Sequence, residues 1–320
     1  MGFYLFKEQF MNNRWEGYFH LGIVYPKLFT HANSGEGPII ETLSWLLHDP
    51  FFTAMEIAWI KDDQIRRQVR DLLELSAMEI LYNGAPAIRG MRINLCSLDS
   101  GQRKESIVNF KKVIDEAYFL NAKILHCVSG PDPGPSHRKE ARVNLIDSLQ
   151  QLCRYSDEKT TEYTLILSLE NSDRDVDRKA FLGPTHETVE LAAEIRKDFD
   201  NFGLLLDQAH FPLMREDPAE SLAMAKGLLT HVHIGNCYSK DRSKPHFGDK
   251  HLPFGVPDSD IGVKELADFL RKLKEIGFWG ESPLDRTPVI SFEVGPFRKE
   301  SPELILANVK RVFTRAWSLV

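Results

Sequence analysis

Short apolar runs alternate along the chain with longer segments in which apolar residues recur at helical spacing. Runs such as LILSLE and VISFE are rich in Ile, Val, Leu and Phe, as buried strands are, whereas KESIVNFKKVIDEAYFL has an amphipathic helical period. Because strands that alternate with helices build parallel sheets, the pattern predicts repeated βαβ units. Eight such strands can be counted, which predicts a (β/α)₈ TIM barrel.

The third strand has two candidates, because MEILYN and RINLC both look like strands. Of Met78–Asn83 and Arg92–Leu95, we favour Arg92–Leu95. The other predicted strands are Phe19–Tyr25, Thr53–Ile60, Lys123–Val128, Leu165–Glu170, Gly203–Asp207, His231–Gly235 and Val289–Val294. Several of the amphipathic segments between them begin with Ser, Thr or Asp, which cap helices, so these segments are expected to form the outer ring.

Nothing in the sequence divides the chain into independently folding parts. It contains no Pro/Gly/Ser-rich linker, internal repeat or low-complexity tract, so residues 1–320 are predicted to form one domain. The aromatic-rich segment 1–17 precedes the first strand and is expected to be an extension that covers the barrel or an interface. The longest irregular stretch, 236–261, is predicted to be an active-site loop that covers a substrate.

Composition narrows the class of protein. With 42% hydrophobic and 27% charged residues, the chain can bury a full core and solvate its surface. A formal net charge of -6 offers nucleic acid no positive field, so no nucleic-acid partner is expected. The four cysteines are widely spaced, which predicts free thiols. Because no apolar run has membrane-spanning length and no signal-peptide core is present, we expect a cytoplasmic protein without a membrane partner.

Four predicted strands each deliver one metal-competent side chain at the C-terminal end. They are Glu170 in LILSLE, Asp207 in GLLLD, His233 in HVH and Glu293 in VISFE. Because strands five to eight are neighbours, these side chains are predicted to converge at one side of the barrel mouth. Three crowded carboxylates repel one another unless a cation lies between them, which predicts one divalent metal ion. The donor set favours manganese, Mn²⁺, with Mg²⁺, Co²⁺ and Zn²⁺ as alternatives.

Two further expectations concern the charge of the predicted metal site and the direction of a neighbouring histidine. Its charge is about -3 before an ion binds, so the site should stay anionic afterwards and favour a neutral, oxygen-rich substrate. His231 is expected to point away from His233, toward the outer helices, and is left out of the ligand set.

The motifs SLEN, LLLDQAH, HVHIGN and SFEVG resemble, in order and spacing, the ligand-bearing strand ends of the xylose-isomerase-like barrel superfamily. That superfamily includes sugar isomerases, ketose 3-epimerases and inosose dehydratases, and the resemblance covers residues 19–317. It implies that all four predicted ligands bind the metal and that Glu170 and Glu293 also exchange protons with opposite faces of the substrate carbon. It therefore implies a metal-dependent isomerase or epimerase of a small-molecule carbohydrate or polyol.

The same resemblance implies substrate-binding residues. His210, three residues after Asp207, matches a histidine that contacts substrate oxygen. Glu56 in AMEIAWI occupies a polar second-strand position near the substrate, with a buried ion pair as the equally open alternative. His251 in HLPFG stands where ketose epimerases have an arginine that grips the substrate, so recognition must differ here. The segment KPHFGDK adds His246, Asp249 and Lys250, which can reach the mouth or lie solvated in the loop, and His246 is taken as the substrate-binding candidate.

Two added histidines favour a rival interpretation. His126 in LHCVSG and His137 in PDPGPSHRKE are candidate catalytic bases. In this they resemble the large subunit of bacterial C-glycoside deglycosidases, lyases that cleave 3-oxo-glycosides with histidine assistance. That branch has a small partner subunit, so a homo-oligomer or a hetero-oligomer with a small subunit is expected. A non-catalytic metal-binding subunit stays open, whereas a DNA-repair endonuclease is disfavoured because FTAMEIAWI and RINLC lack the histidines of a trinuclear cluster.

Overall fold

The structure, a computed structural model, describes residues 14–160, 162–279 and 286–320. Eight parallel strands pair in sequence order, and the eighth also pairs with the first, so the sheet closes into a barrel. The strands are β1 His20–Val24, β2 Ala54–Ile57, β3 Glu79–Asn83, β4 Ile124–Val128, β5 Ile166–Glu170, β6 Phe202–Asp207, β7 Leu229–Ile234 and β8 Val289–Phe292. The predicted single-domain (β/α)₈ TIM barrel is confirmed.

Helices connect the strands and form the outer layer. They are α1 Tyr25–Leu28, α2 Ile39–Leu47, α3 Asp63–Ser76, α4 Ala85–Gly90, α5 Ser100–Phe119, α6 Arg138–Glu158, α7 Thr185–Ile195, α8 His210–Met214, α9 Pro218–Ala225, α10 Val263–Glu275 and α11 Pro302–Trp317. Short 3₁₀ helices span Trp15–Gly17 and Thr30–Ser34. The side chains of Asp62, Asp99 and Ser301 cap α3, α5 and α11, as the polar residues before the amphipathic segments predict. None of the described helices is long and apolar enough to cross a membrane.

The third strand is Glu79–Asn83, so the preference for Arg92–Leu95 is wrong. Strand β3 pairs with β2 and β4 over most of its length. The segment Arg92–Leu95 instead turns back from α4, with Arg92 at a positive φ of 55°. Serine side chains on α5 and α6 bond the backbone N–H of Asn94 and the carbonyl of Leu95, so helices rather than strands satisfy this backbone.

The barrel interior has an apolar floor below a polar upper layer. The floor is a separate cluster of buried side chains, namely Ala54, Leu81, Ile124, Ile166 and Val289. Because side chains two apart on a strand share a face, polar residues that follow these positions also point inward. The main hydrophobic core lies between the sheet and the helices.

The loop between β7 and α10 is well anchored. Asn236 is fully buried, and its amide donates to the Pro253 carbonyl at 3.1 Å and to Ser259 Oγ at 3.0 Å. Its Oδ1 accepts the backbone N–H of Ile261 at 3.0 Å. One side chain thus ties the start of the loop to its middle and end. Of the predicted extension 1–17, residues 1–13 lie outside the described residues, and Trp15 packs against Phe51 and Phe313 on the barrel.

Candidate active site

Four metal-competent side chains meet where β5 to β8 end. One donor atom from each of Glu170, Asp207, His233 and Glu293 lies within 4.8 Å of all the others. Glu170 Oε1, Asp207 Oδ2 and His233 Nδ1 are buried and have no hydrogen-bond partner among the described residues. Buried polar atoms are nearly always hydrogen-bonded, so donor atoms that point at one another without partners fit a cation between them.

Glu56 orients His233. Its Oε1 lies 2.9 Å from His233 Nε2, and the carboxylate is fully buried. A carboxylate accepts the Nε2 proton and so directs Nδ1 at the cluster, where a bound metal ion would take the place of the Nδ1 proton. His233 Nδ1 lies 2.8 Å from Glu293 Oε2, although the two atoms are not aligned as a hydrogen bond. The structure thus puts Glu56, a predicted substrate-binding residue, behind a predicted metal ligand.

His231 also faces the barrel interior. Its Nε2 lies 3.0 Å from Glu56 Oε1 and 3.1 Å from Ser291 Oγ. The expectation that it faces the helices is wrong, because residues two apart on a strand share a face. Burial raises the pKa of Glu56, but the charges of His233 and His231 outweigh burial and hold it well below its usual range. Glu56 is therefore a carboxylate that both histidines share.

His126 contacts the opposite end of the cluster. Its side chain is buried, and its Nε2 lies 2.9 Å from Glu170 Oε2. Burial raises the pKa of Glu170, whereas the charges of His126 and His210 outweigh burial and lower it below its usual range. His137, the other predicted base, is exposed just before α6 and lies outside this group of buried side chains.

A second metal-competent group adjoins the first. Donor atoms of Asp207, His210 and His251 lie within 4.8 Å of one another. Both histidines donate Nδ1–H to backbone carbonyls at 2.9 Å, which directs their Nε2 atoms toward Asp249. Asp249 Oδ1 lies 2.8 Å from His251 Nε2, and Oδ2 lies 3.5 Å from His210 Nε2. Two predicted substrate-binding histidines therefore converge on Asp249, which the sequence indicates only as a loop residue able to reach the mouth.

His246 lies in the loop after β7 and is not one of the buried donor side chains. It is partly exposed, and its ring packs against Tyr238 and Phe297 at centroid distances of 4.4 and 5.9 Å. The antiparallel bridge between Tyr238 and Gly248 folds this part of the loop back on itself. Of the predicted substrate-binding residues, His246 is the one most open to solvent.

Cations missing from the sequence prediction border the cluster. Lys27 Nζ, just after β1, lies 3.7 Å from Glu293 Oε1. Burial raises the pKa of Glu293, but the charges of His251 and Lys27 outweigh burial and hold it well below its usual range. Arg178 pairs with the buried carboxylate of Asp249. The motif PKLF directly after the first strand is a sequence signal from which Lys27 could have been predicted. No local sequence pattern predicts Arg178.

Similar solved structures cover nearly the whole chain. An L-ribulose 3-epimerase has a TM-score of 0.69 at 15% identity, covering 94% of this chain and 95% of that chain. A D-allulose 3-epimerase from Methylomonas sp. has a TM-score of 0.64 at 20% identity, covering 93% of this chain and 98% of that chain. An IolI protein with a binding zinc atom has a TM-score of 0.64 at 19% identity, with coverage of 93% and 98%. At these identities the likeness shows the fold alone.

The sequence matches a family model but no curated protein. Among curated proteins none matches this chain. The family model described as xylose isomerase-like TIM barrel matches residues 39–294, which is most of the chain and includes all four strand ends of the candidate metal site. The chain belongs to the xylose isomerase-like TIM barrel family.

Proposed function

We propose that the protein is a divalent-metal-dependent isomerase or epimerase of a carbohydrate or polyol. The observation that supports this most is the cluster of four donor atoms within 4.8 Å, three of them buried without hydrogen-bond partners among the described residues. When bound, the ion supplies a Lewis acid that polarises a substrate carbonyl and so acidifies the neighbouring C–H. Mn²⁺ suits three carboxylates and one imidazole best, with Mg²⁺, Co²⁺ and Zn²⁺ as alternatives.

Glu170 and Glu293 are the proposed proton-transferring groups. Their pKa values lie below the usual range, so both side chains are carboxylates near neutral pH and can accept a proton. They belong to the ends of β5 and β8, which β6 and β7 separate, and thus approach a substrate from different sides. One carboxylate removes the proton and the other returns it to the opposite face in an epimerase. In an isomerase the proton returns to the adjacent carbon.

The neighbouring side chains have supporting roles. His126 contacts Glu170 Oε2 at 2.9 Å and can exchange a proton with that carboxylate. His210 and His251 border the donor cluster, where their rings can contact substrate oxygens, and His246 in the loop after β7 is a further candidate. Glu56 acts through His233, because its carboxylate is fully buried behind that ring. Exposed His137 is not assigned a role in this mechanism.

Metal analysis and isotope exchange test the proposal. The purified protein should contain about one divalent ion per chain, the number that one four-donor site holds. A panel of ketoses and 3-oxo-glycosides is then incubated with it in deuterated water and followed by NMR. Deuterium beside the carbonyl without fragmentation supports the isomerase or epimerase. Release of an aglycone would instead identify the lyase, and a metal-free, inactive protein would contradict the proposal.

The variant Glu293→Gln separates chemistry from folding. It should abolish turnover while circular dichroism stays unchanged, because the amide cannot accept the proton. The matched control is Glu303→Gln, an exposed residue in the first turn of α11 that should keep full turnover. Retained turnover in Glu293→Gln would remove Glu293 from both proton transfer and metal binding.

A further inference from the structure

Lys27 places a cation beside one of the predicted metal ligands. It lies on α1, directly after β1, and its Nζ lies 3.7 Å from Glu293 Oε1. Of the Lys and Arg side chains in the described ranges, it alone has a cationic nitrogen within 4.0 Å of Glu170, Asp207 or Glu293. That separation is too long for a hydrogen bond, and no other described residue accepts one from the ammonium. Its three N–H donors are therefore available to a ligand.

The fold fixes the backbone that carries this ammonium. Pro26 is buried in α1, and the amide of Asn33 donates to its carbonyl at 2.8 Å. Gly295, two residues after Glu293, lies directly against the same helix. A Cβ atom at Gly295 would come within 2.4 Å of the Lys27 carbonyl oxygen, so only a glycine allows this close approach. Helix α1 and the loop after β8 therefore hold Lys27 and Glu293 side by side.

The two carboxylate oxygens of Glu293 have different neighbours. Oε2 lies 2.8 Å from His233 Nδ1, on the side of the other predicted metal ligands. Oε1 lies 3.6 Å from His251 Nε2 and 3.7 Å from Lys27 Nζ. Oε1 is thus the oxygen better placed to take a proton from a substrate carbon, which must approach it to about 3–3.5 Å. The oxygen bonded to that carbon then lies within reach of the Lys27 ammonium.

We propose that Lys27 is a catalytic residue whose ammonium donates a hydrogen bond to the hydroxyl oxygen on the carbon that Glu293 deprotonates. The C–H proton passes to Glu293 Oε1, and the electron pair of that bond forms the carbon–carbon double bond of an enediolate. The π pair of the carbonyl group moves onto the carbonyl oxygen. Lys27 keeps its proton, and its charge stabilises the electron-rich intermediate until a carboxylate returns the proton. The inference rests on the proposed function of the same site.

A purely electrostatic role of Lys27 beside Glu293 leads to a different expectation. In that role the ammonium would act on the carboxylate alone, so its removal would change the affinity for every ketose by the same factor. A hydrogen bond to one hydroxyl group instead affects only the ligands that carry this group. Ketoses with and without that hydroxyl group therefore separate the two roles.

Calorimetric titration of the metal-loaded protein measures this difference. D-Fructose is compared with 1-deoxy- and 3-deoxy-D-fructose, because an isomerase deprotonates carbon 1 and an epimerase carbon 3. Wild type should prefer D-fructose, and Lys27→Met should reduce its preference over one analogue at least about tenfold, the scale of a hydrogen bond from a charged donor. Lys27→Arg keeps a charged donor and should restore part of the preference. The control is Lys61→Met, at an exposed lysine that pairs with Glu36, and it should keep the full preference.

Each outcome decides for or against the inference. Lys27→Gln keeps a neutral donor, should reduce the preference at least about threefold, and serves if Lys27→Met does not fold. An unchanged preference over both analogues, an equal loss of affinity for all three ketoses, or no binding of D-fructose by wild type would overturn the inference. Calorimetry requires no turnover, so its result is independent of the exchange experiment. A preference that depends on Lys27 without deuterium exchange would contradict the proposed reaction and leave the contact between Lys27 and the hydroxyl group standing.

Discussion

Glu56 determines which nitrogen of His233 is available to a metal ion. The carboxylate lies 2.9 Å from Nε2, so that nitrogen donates its proton to Glu56 and Nδ1 faces the donor cluster. Residues that orient a metal-binding histidine in this way contribute to affinity without touching the ion. Asn83 Nδ2 donates to Glu56 Oε2 at 3.4 Å and helps to fix the carboxylate in turn.

Glu56→Gln should weaken metal binding about 10- to 100-fold. The neutral amide is a poorer acceptor for the His233 proton, and it can turn its NH₂ group toward the ring. Competition with a chromogenic chelator measures the affinity, with Glu41→Gln on the outer helix α2 as the control. Unchanged affinity in a folded variant would mean that Glu56 has no positioning role.

Asp132 gives the stability of the fold a dependence on pH. Arg138 donates to both carboxylate oxygens at 2.9 and 2.7 Å, and these bonds hold the pKa of Asp132 below its usual range. A carboxylate with a lowered folded-state pKa stabilises the fold above its unfolded pKa, near 3.9, and this stabilisation is lost as the pH falls through the folded pKa. Asp132→Asn should therefore cost about 0.5 kcal/mol at neutral pH.

Urea denaturation of wild type and Asp132→Asn at several pH values measures that cost. The difference in free energy of unfolding should shrink as the pH falls below about 3.9, the unfolded pKa, and vanish once the pH has passed the lowered folded-state pKa of Asp132. Arg138→Gln should give the same pH profile, because it removes the other half of the pair. A difference that grows on acidification would contradict the assignment.

At the scale of elements, the loop after β7 depends on one buried side chain. Asn236→Ala removes three hydrogen bonds and leaves the N–H of Ile261 without its acceptor. We expect faster proteolysis and hydrogen exchange within 236–261, while the barrel strands stay protected. Ser259→Ala removes only one of these bonds and should have a smaller effect. Equal exchange in both variants would show that Asn236 does not anchor the loop.

Helix α11 contributes a large, fully buried aromatic side chain to the core. Phe313 is fully buried, with ring centroids 5.2 Å from Trp15 and 5.7 Å from Phe292. Phe313→Ala should lower the free energy of unfolding by about 3–5 kcal/mol, because it leaves a cavity among aromatic rings. Leu304→Ala on the same helix is 54% exposed and should cost less than about 0.5 kcal/mol. Denaturant melts of both variants provide the comparison.

The third strand shows a limit of predicting secondary structure from the local sequence pattern. MEILYN and RINLC are similar in composition. Only Glu79–Asn83, within MEILYN, pairs with a strand on each side. Arg92–Leu95 is buried for a different reason, since its backbone bonds serine hydroxyls of two helices. Burial favours apolar residues in both cases, so hydrophobicity alone cannot distinguish a strand from an anchored turn.

At the scale of the molecule, the regular part of the site follows from sequence and the rest does not. The barrel fixes where each strand ends, so Glu170, Asp207 and Glu293 can be predicted to meet from strand count alone. The pairing of Arg178 with Asp249 joins loops 71 residues apart, and no periodicity encodes it. The expected direction of His231 was wrong although the alternation of a strand predicts it correctly.

Removal of the metal should destabilise the whole barrel. Without an ion the clustered carboxylates repel one another, and ligand-linked stability is lost. Dialysis against a chelator should lower the Tm by about 5 °C, and added Mn²⁺ should restore it. Differential scanning calorimetry measures the shift in Tm. Dialysis against the same buffer without chelator is the control. An unchanged Tm would speak against a bound ion at this site.

The contact between Glu56 and His233 has a consequence for the order of folding. The two residues are 177 positions apart, and their strands β2 and β7 are not neighbours in the barrel. A partly assembled chain that contains only the second half of the barrel has all four donors but lacks the carboxylate that orients His233. If the proposed metal site is correct, tight metal binding should therefore follow closure of the ring. Refolding with a fluorescent metal indicator would accordingly time closure itself, as a phase later than the burial of tryptophan.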